Sequence, residues 1–344
     1  MTPHNPVGAD DLEDLGDDDM TGDLVNDAAP DDLVDDRFDV GVDDRQDLVD
    51  LSHLHPGARA IARLPAQERL RHLRADRWIG YSRATAALER LEELFCWPGK
   101  QRMPNLLLIG PTNNGKSMII EKFRRTHPPV SHPDREQIPV LVVQMPSDPS
   151  VIRFYVAVLA ALGAPLRPRQ RLAELEQVTL SLLRVVGVRM LVIDELHNVL
   201  AGRGEARREF LNLIRFLGNE LRIPLVGVGT REAYLAIRSD DQLENRFEPF
   251  TLPRWEPGDE ARSLLASFAT SFPLRRRSDI ATEEVARYLL TRSEATIGEI
   301  THLLMDAAVA AVESGEEAIN QATLLMAGYA GPTERRRLFE RELA

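Results

Sequence analysis

A glycine-rich segment at residues 110–117 has the residue types and spacing of a phosphate-binding loop. It reads Gly110-Pro111-Thr112-Asn113-Asn114-Gly115-Lys116-Ser117 and fits the Walker A pattern G-x-x-x-x-G-K-[ST]. In such a loop the backbone amides surround the phosphate oxygens, Lys116 reaches the β and γ phosphates, and the Ser117 hydroxyl binds Mg²⁺. The chain has three lysines against 39 arginines, so composition does not explain a lysine here. We therefore predict that the segment binds ATP and Mg²⁺.

The sequence on both sides of this loop predicts the strand and the helix that position it. The apolar run Leu106 to Ile109 is typical of a buried strand, and Met118 to Arg125 continues as a helix that Pro128 and its neighbours end. The amino terminus of that helix faces the phosphates, where free N–H groups and the helix dipole favour anions. We include Met118, the first residue after the loop, among the predicted nucleotide contacts.

Two adjacent carboxylates follow another apolar run farther along the chain. Arg189 to Ile193 leads into Asp194 and Glu195, which predicts a buried parallel strand with acids at its carboxyl end, a Walker B pattern. Asp194 is expected to hold Mg²⁺ through its water shell, and Glu195 to orient or deprotonate the attacking water. The alternative is a strand that merely ends in surface acids.

Strand-like runs alternate with helical periodicity through the middle of the chain, which predicts an α/β fold with a parallel sheet. The five predicted strands are 106–109, 139–145, 189–194, 224–229 and 250–252. Helices are predicted at 149–162, 170–186, 205–221, 258–271, 282–292 and 297–314. We divide the chain into a helical N-terminal extension (51–103), a P-loop core (104–256), a helical lid (257–331) and a basic C-terminal tail (332–344).

The first 50 residues differ from the rest in composition. They hold 18 Asp or Glu against Arg37 and Arg45, which predicts a disordered acidic tail. The net charge of −12 minus the −16 of this segment leaves about +4 for residues 51–344. Such a tail could compete with nucleic acid for a basic surface or simply aid solubility. Cys96 is the only cysteine, which excludes an intramolecular disulfide, and without a signal-like start or a long apolar run we expect a cytoplasmic protein.

Together these motifs resemble the AAA+ ATPases, and the resemblance implies roles for further residues. Thr230 follows the fourth predicted strand, where the family carries its polar sensor 1 residue, although a threonine there could also be a helix N-cap. Arg246, in the sequence Asn245-Arg246-Phe247, corresponds to the arginine finger, which acts on the ATP of a neighbouring subunit and so implies a homo-oligomer. A surface arginine paired with Glu244 or Glu248 is the alternative.

The lid sequence departs from the AAA+ pattern at one position. The stretch Thr296 to Thr301 resembles the sensor 2 region, but Thr301 stands where many relatives carry an arginine. Arg292 is a possible substitute from a nearby turn. The loss of this arginine would suggest slow hydrolysis, suited to a switch more than to a motor.

Three segments narrow the resemblance to the TniB transposition ATPases, which are related to TnsC and, more distantly, to MuB. The segments are 76–81, 194–202 and 245–250, and the resemblance covers roughly residues 55–330. It implies an ATP-bound ring or filament on double-stranded target DNA that recruits or activates a TniA-type transposase and a TniQ-type adaptor, with hydrolysis driving disassembly. It also makes Ile79 and Tyr81 candidates for the adenine pocket, although core packing explains them equally well.

DNA binding is predicted from the positions of a few arginines. Arg135 lies on the predicted loop 128–138 and Arg153 on the predicted loop 145–153, either of which could face DNA. The arginine triplets 275–277 and 335–337 are alternatives. His197 could relay the nucleotide state or be a structural histidine. Two other classes stay open, a helicase or initiator loader and a nucleotide-gated signalling ATPase that does not bind DNA.

Overall fold

The computed structural model describes residues 50–343 except Pro168, so the predicted acidic tail lies outside the described residues apart from Asp50. The first half contains α1 (Pro56–Ala62), α2 (Ala66–Arg74), α3 (Ser82–Phe95), β1 (Asn105–Ile109), α4 (Lys116–Thr126), β2 (Val130–Ser131), β3 (Glu136–Gln137), β4 (Val140–Gln144), α5 (Val151–Ala161) and α6 (Leu172–Val185). Then follow β5 (Met190–Asp194), a 3₁₀ helix (Leu196–Ala201), α7 (Gly204–Leu221), β6 (Leu225–Gly229), α8 (Arg231–Arg238), α9 (Asp241–Glu244) and β7 (Phe247–Thr251). The last helices are α10 (Asp259–Ser271), α11 (Glu283–Arg292), α12 (Ile297–Ser314), α13 (Gln321–Met326) and α14 (Pro332–Glu342).

Five strands form one parallel sheet in the order β4-β5-β6-β1-β7, which confirms the predicted α/β fold. The strand β1 lies between β6 and β7, with Asn105 opposite Phe247 and Ile109 opposite Thr251. All five strands therefore end at the same edge, here called the carboxyl edge, and begin at the opposite, amino edge. Loops after parallel strands meet at the carboxyl edge, where ligands bind in open α/β sheets.

Helices cover both faces of the sheet because the strands are apolar on both sides. Alternate residues of each strand point to opposite faces, so Leu106 and Leu108 pack against α3 and α4. Leu107 and Ile109 belong to the core on the other face, with residues of α5, α6 and α7. The sheet is thus a rigid platform for the loops at its edges.

The lid has its own hydrophobic core, and α2 belongs to it. Leu70 and Leu73 of α2 pack with residues of α10, α11 and α12. The Arg69 guanidinium bonds both carboxylate oxygens of Glu317 at 2.6 Å, with its side chain 3% exposed. By contrast α3 packs against the sheet. The helices before β1 are therefore shared between the lid and the core, while the predicted domain boundaries stay predictions.

Several elements differ from the sequence-based expectation. The last strand of the sheet begins at Phe247 and not at residue 250, and α8, α9 and α13 were not predicted. The predicted loop 128–138 contains the short antiparallel hairpin β2–β3, whose two-residue strands are too short to give a periodic signal. The helical region before residue 75 is broken into α1 and α2, with Pro65 at the N-cap of α2. The basic C-terminal tail forms α14, which Pro332 begins at a position where its missing N–H costs no hydrogen bond.

Within the described residues, no single helix has the length and apolarity needed to cross a membrane. The bent pair Glu283–Arg292 and Ile297–Ser314 passes the same test of length and composition when the two helices are taken together.

Candidate functional site

The phosphate loop follows β1 at the carboxyl edge and ends in the first turn of α4. Gly115 has φ +80°, a conformation that residues with a Cβ rarely adopt, and it directs the chain into the helix that Lys116 begins. Lys116 Nζ donates to the carbonyl oxygens of Gly110 at 3.0 Å and Pro111 at 2.6 Å, and the residue is 8% exposed. Burial lowers the pKa of Lys116, an effect that the nearby Asp194 and Glu195 oppose.

The predicted magnesium ligands lie in contact with each other. Ser117 Oγ donates to Asp194 Oδ2 at 2.8 Å, and Asp194 Oδ1 accepts from the Glu195 backbone N–H at 2.8 Å. Hydroxyl and carboxylate oxygens are the ligands that Mg²⁺ prefers, so this pair fits that ion. The structure thus brings the two predicted motifs together from positions 77 residues apart.

Glu195 and His197 form a second pair beside the loop. Glu195 has φ +56°, an unusual backbone conformation for a residue with a side chain, and its Oε2 lies 3.1 Å from His197 Nε2. The buried His197 Nδ1 has no hydrogen-bond partner within the described part of the chain. Thr230 lies at the N-cap position of α8, but its hydroxyl donates to the Glu232 carboxylate and does not cap the backbone. All three residues line one cavity with the phosphate loop.

That cavity has a volume of about 500 Å³ and continues from the phosphate loop to an apolar wall. The predicted pocket residues Ile79 and Tyr81 both line it, and Met118 lines its loop side. Burial raises the pKa of Tyr81 to about 12, with a contribution from Glu260. The other residues of the wall were not predicted from the sequence, because they come from α2, α10, α12 and the segments that follow α2 and α10. These residues are Leu73, Trp78, Phe268, Phe272 and Met305.

The beginning of the lid helix α12 contacts the phosphate loop directly. The Gly298 N–H donates to the Asn113 carbonyl at 3.0 Å, and the Ile297 N–H donates to Asn114 Oδ1 at 3.2 Å. Thr301 lines the cavity and donates its hydroxyl to the Ile297 carbonyl at 2.8 Å. Arg292 instead donates to the Tyr329 carbonyl, away from the cavity, so the structure does not place it where a sensor 2 arginine would act.

Arg246 lies at the opposite, amino edge of the sheet. It directly precedes β7, its carbonyl accepts from the Asn105 N–H at 3.0 Å, and its Nη1 donates to Asn219 Oδ1 at 2.8 Å. Burial lowers the pKa of Arg246, and the nearby Arg102 and Arg215 add to this effect. A five-residue strand is about 16 Å long, so the guanidinium lies far from the phosphate loop of its own chain. It could reach a phosphate loop only on another chain.

Residues 69–257 match the family described as Bacterial TniB protein. The chain belongs to the TniB family. No curated protein matches it. The solved structures similar to it include the Aeropyrum pernix ORC1 protein in complex with DNA, with 18% identity, a TM-score of 0.54, and coverage of 74% of this chain and 67% of that chain. The Aeropyrum pernix ORC2 protein is 15% identical, with a TM-score of 0.52 over 75% of this chain and 71% of that chain. These likenesses show the AAA+ P-loop fold.

The two arginines suggested as DNA contacts in this TniB-family chain belong to different ends of β4. Arg135 lies on the β2–β3 hairpin before β4, 3.4 Å from Asp134, and Arg153 lies in the first turn of α5 after β4, 2.6 Å from Asp148. The structure therefore does not make them neighbours. Each is about half exposed and already paired with an acid. Their role in DNA binding stays a prediction.

Proposed function

We propose that this chain is an ATP-hydrolysing transposition regulator that assembles as a homo-oligomer on double-stranded DNA. In that state it recruits or activates a TniA-type transposase and a TniQ-type adaptor, and hydrolysis drives disassembly. The proposed ATPase activity rests on the positions of the predicted catalytic residues, which lie at two opposite edges of the sheet. Lys116, Ser117, Asp194 and Glu195 lie together at the carboxyl edge, and Arg246 lies at the amino edge.

The carboxyl edge supplies groups for binding and for water activation. The Lys116 ammonium, which now bonds two loop carbonyls, would exchange them for phosphate oxygens. Ser117 and Asp194 would hold Mg²⁺, which neutralises charge on the phosphates. Glu195 would accept a proton from the attacking water. Its contact with His197 would orient the carboxylate, because a 3.1 Å contact holds one of its oxygens.

The apolar wall of the cavity would bind the base. Ile79 and Tyr81 line the same cavity as the loop, so a nucleotide that places its phosphates on Lys116 can extend its base toward them. Tyr81 is fixed by an edge-to-face contact with Trp255, with 5.0 Å between the ring centroids. Burial of an aromatic base against such side chains would increase the affinity for the nucleotide but would not raise kcat.

The amino edge would complete the site of a second copy. Arg246 would stabilise charge on the transferring phosphoryl group of the neighbouring subunit, which is the role of an arginine finger. Because hydrolysis then requires an assembled interface, ATP turnover and assembly become coupled. Membership of the TniB family supports transposition as the setting and the proposed transposase and adaptor as partners.

DNA binding is tested first with labelled double-stranded DNA. Fluorescence anisotropy is measured with ATP, ADP or a non-hydrolysable analogue at two salt concentrations for the wild-type protein, Lys116→Ala and Lys122→Ala. Lys122 is a matched control, because it is an exposed lysine six residues along the same helix. We expect binding that needs the triphosphate, weakens with salt and is lost only in Lys116→Ala. Nucleotide binding without DNA binding under any condition would contradict the proposal.

A second measurement separates transposition from helicase loading. DNA-stimulated ATP hydrolysis is followed with a purified TniA-type transposase and, in parallel, with a replicative helicase. The proposal requires that the transposase changes the hydrolysis rate or the lifetime of the DNA complex. A response to the helicase alone would favour a loader.

A further inference from the structure

Glu299 is a buried carboxylate that connects the phosphate loop to the C-terminal helix. It lies in the first turn of α12 and is 7% exposed. Its Oε1 accepts from Asn113 Nδ2 at 3.1 Å and from Arg335 Nη2 at 2.7 Å, and its Oε2 accepts from Tyr329 OH at 2.7 Å. One side chain therefore joins the phosphate loop, the segment before α14, and α14 itself.

These three bonds keep the buried carboxylate ionised. Burial alone acts to raise the pKa of Glu299, but the hydrogen bonds from Tyr329, Arg335 and Asn113 outweigh it, so the pKa lies below the ordinary value. A buried carboxylate is stable only with such partners, because removing one donor leaves part of its negative charge uncompensated. The position of Arg335 therefore affects how Glu299 binds Asn113.

The loop end of this connection has little freedom. Asn113 has φ +58°, and a Cβ placed on Gly298 would lie 1.9 Å from Asn113 Oδ1. The neighbouring Asn114 side chain donates to the carbonyls of Leu252 at 3.0 Å and Pro253 at 2.9 Å. A change at Glu299 is thus transmitted to the backbone that would surround the phosphates.

The other end of the connection, α14, is held by polar contacts. None of its residues 332–342 is buried. Its Thr333 N–H donates to Glu294 Oε1 at 2.7 Å, and Arg292 lies 3.7 Å from Glu334. Leu338 and Phe339 are exposed. Because none of its side chains is buried, α14 depends on these polar contacts and on the Arg335–Glu299 bond to stay on the lid.

We propose that Glu299 is a positioning residue for the phosphate loop and that docking of α14, through Arg335 and Glu299, sets the affinity for the nucleotide. This rests on the proposed function of the loop as an ATP site. It also gives the lid a second route to the nucleotide, since Thr301 cannot provide the charge of a sensor 2 arginine. Anything that displaces α14 would weaken nucleotide binding.

The test is a pair of substitutions on α14. ATP and ADP affinities are measured by calorimetry for the wild-type protein, Arg335→Ala and Arg337→Ala. Arg337 is a matched control, two residues along on the same helix and exposed. We expect Arg335→Ala to weaken both nucleotides about tenfold, because it removes a hydrogen bond to a charged group, and Arg337→Ala to bind as the wild type does. Equal affinities in all three proteins would overturn the proposal.

A double-mutant cycle distinguishes this connection from a general loss of structure. Arg335→Ala is combined with Glu299→Gln, and the apparent melting temperature of each nucleotide-free protein is recorded. If α14 acts through Glu299, Arg335→Ala has no further effect on affinity in the Glu299→Gln background. Additive effects would show that α14 acts by another route and would refute the proposal. If the wild-type protein binds no nucleotide at all, the proposed function fails and not this connection.

Discussion

The two edges of the sheet differ in whether their charged groups find partners within the chain. At the carboxyl edge Lys116 bonds two loop carbonyls, Ser117 bonds Asp194, and Glu195 contacts His197. At the amino edge Arg246 bonds the neutral Asn219, and within the described residues it forms no ion pair. The charged groups of the first edge contact one another, whereas the second edge presents a cation whose hydrogen-bond partner is neutral.

The acids near Arg246 are engaged elsewhere. Asp240, whose charge opposes the fall in the pKa of Arg246, lies 3.5 Å from Arg215. Glu244 lies 3.2 Å from Arg238, and Glu248 is paired with Arg90. A guanidinium held by a neutral amide beside other cations favours an anion from outside the chain. In the proposed assembly a phosphate on a second copy would supply this anion. The contact would be heterologous, so that it would repeat into a ring or a filament. The unequal pairing of charges at the two edges would therefore couple ATP hydrolysis to assembly of the homo-oligomer.

The largest expected effect comes from removing the cation of the amino edge. Arg246→Ala should lower kcat for ATP hydrolysis by about 10³–10⁵, because the arginine stabilises charge that exists only in the transition state. The ATP affinity of the unassembled chain should not change. Phosphate release and calorimetric binding measure the two quantities. Arg277→Ala, which alters an exposed arginine on the lid, is the control. A large loss of ATP affinity in Arg246→Ala would mean that Arg246 binds the nucleotide of its own chain. This would contradict its proposed action on the ATP of a neighbouring chain.

A substitution at the carboxyl edge should also stop turnover, but for a different reason. Glu195→Gln removes the proton acceptor and keeps the shape of the side chain, so kcat should fall by about 10²–10⁴ while ATP binding remains. The measurement is again phosphate release against binding. The same carboxamide can still bond His197, so this variant tests the proton transfer more than the local structure.

A mixture of the two inactive variants tests whether Glu195 and Arg246 act on one ATP from different chains. In an equal mixture of Arg246→Ala and Glu195→Gln, about a quarter of the interfaces pair an intact Glu195 with an intact Arg246 from the neighbour. Hydrolysis should therefore recover to a corresponding fraction of the wild-type rate. A mixture as inactive as its components would show that both groups act within one chain.

The carboxyl edge could be predicted from the sequence because its chemistry is local. The glycine-rich loop follows one apolar run, and the two acids follow another. Because parallel strands end at the same edge of a sheet, the two motifs can be predicted to lie close together without knowledge of side-chain packing. The predicted strands 106–109 and 189–194 differ from β1 and β5 by one residue at the amino end. The parallel sheet followed from the alternation of strands and helices.

The lid contacts could not be predicted in the same way because they depend on long-range geometry. Asn113 and Glu299 are 186 residues apart, and each residue type is common on protein surfaces. The same applies to Phe268 and Phe272, whose helical spacing predicts a buried face but not that this face lines a nucleotide cavity. Arg292 could not be placed from the sequence either: it was a candidate substitute for the sensor 2 arginine, but its guanidinium donates to the Tyr329 carbonyl and does not line the cavity.

A smaller effect is expected at the residue that holds Arg246. Asn219→Ala removes the 2.8 Å hydrogen bond to Nη1 without altering the charge of the arginine. Loss of one hydrogen bond to a charged group should lower kcat about tenfold, because the guanidinium is less often in the correct orientation. Asn219→Asp gives a contrasting variant, because it would place a carboxylate directly against the Arg246 guanidinium. We expect Asn219→Asp to reduce hydrolysis and assembly more than Asn219→Ala does, as measured by phosphate release and light scattering. The reverse order would mean that the arginine does not meet an external anion.

The smallest expected effect concerns Arg102, an exposed cation close enough to lower the pKa of Arg246. It lies beside the amino edge, so it would add to the attraction for a neighbouring subunit that carries a triphosphate. Arg102→Ala should weaken ATP-dependent self-association about twofold to fivefold at low salt and hardly at all at high salt, because exposed charges are screened over about 10 Å at 0.1 M salt. Sedimentation at two salt concentrations measures this, with Arg277→Ala on the lid as a control of similar charge and high exposure. If Arg277→Ala weakens self-association equally, the change comes from the net charge of the protein. Arg102 would then make no specific contribution, and Arg246 would be the only one of the two arginines that binds the neighbouring subunit.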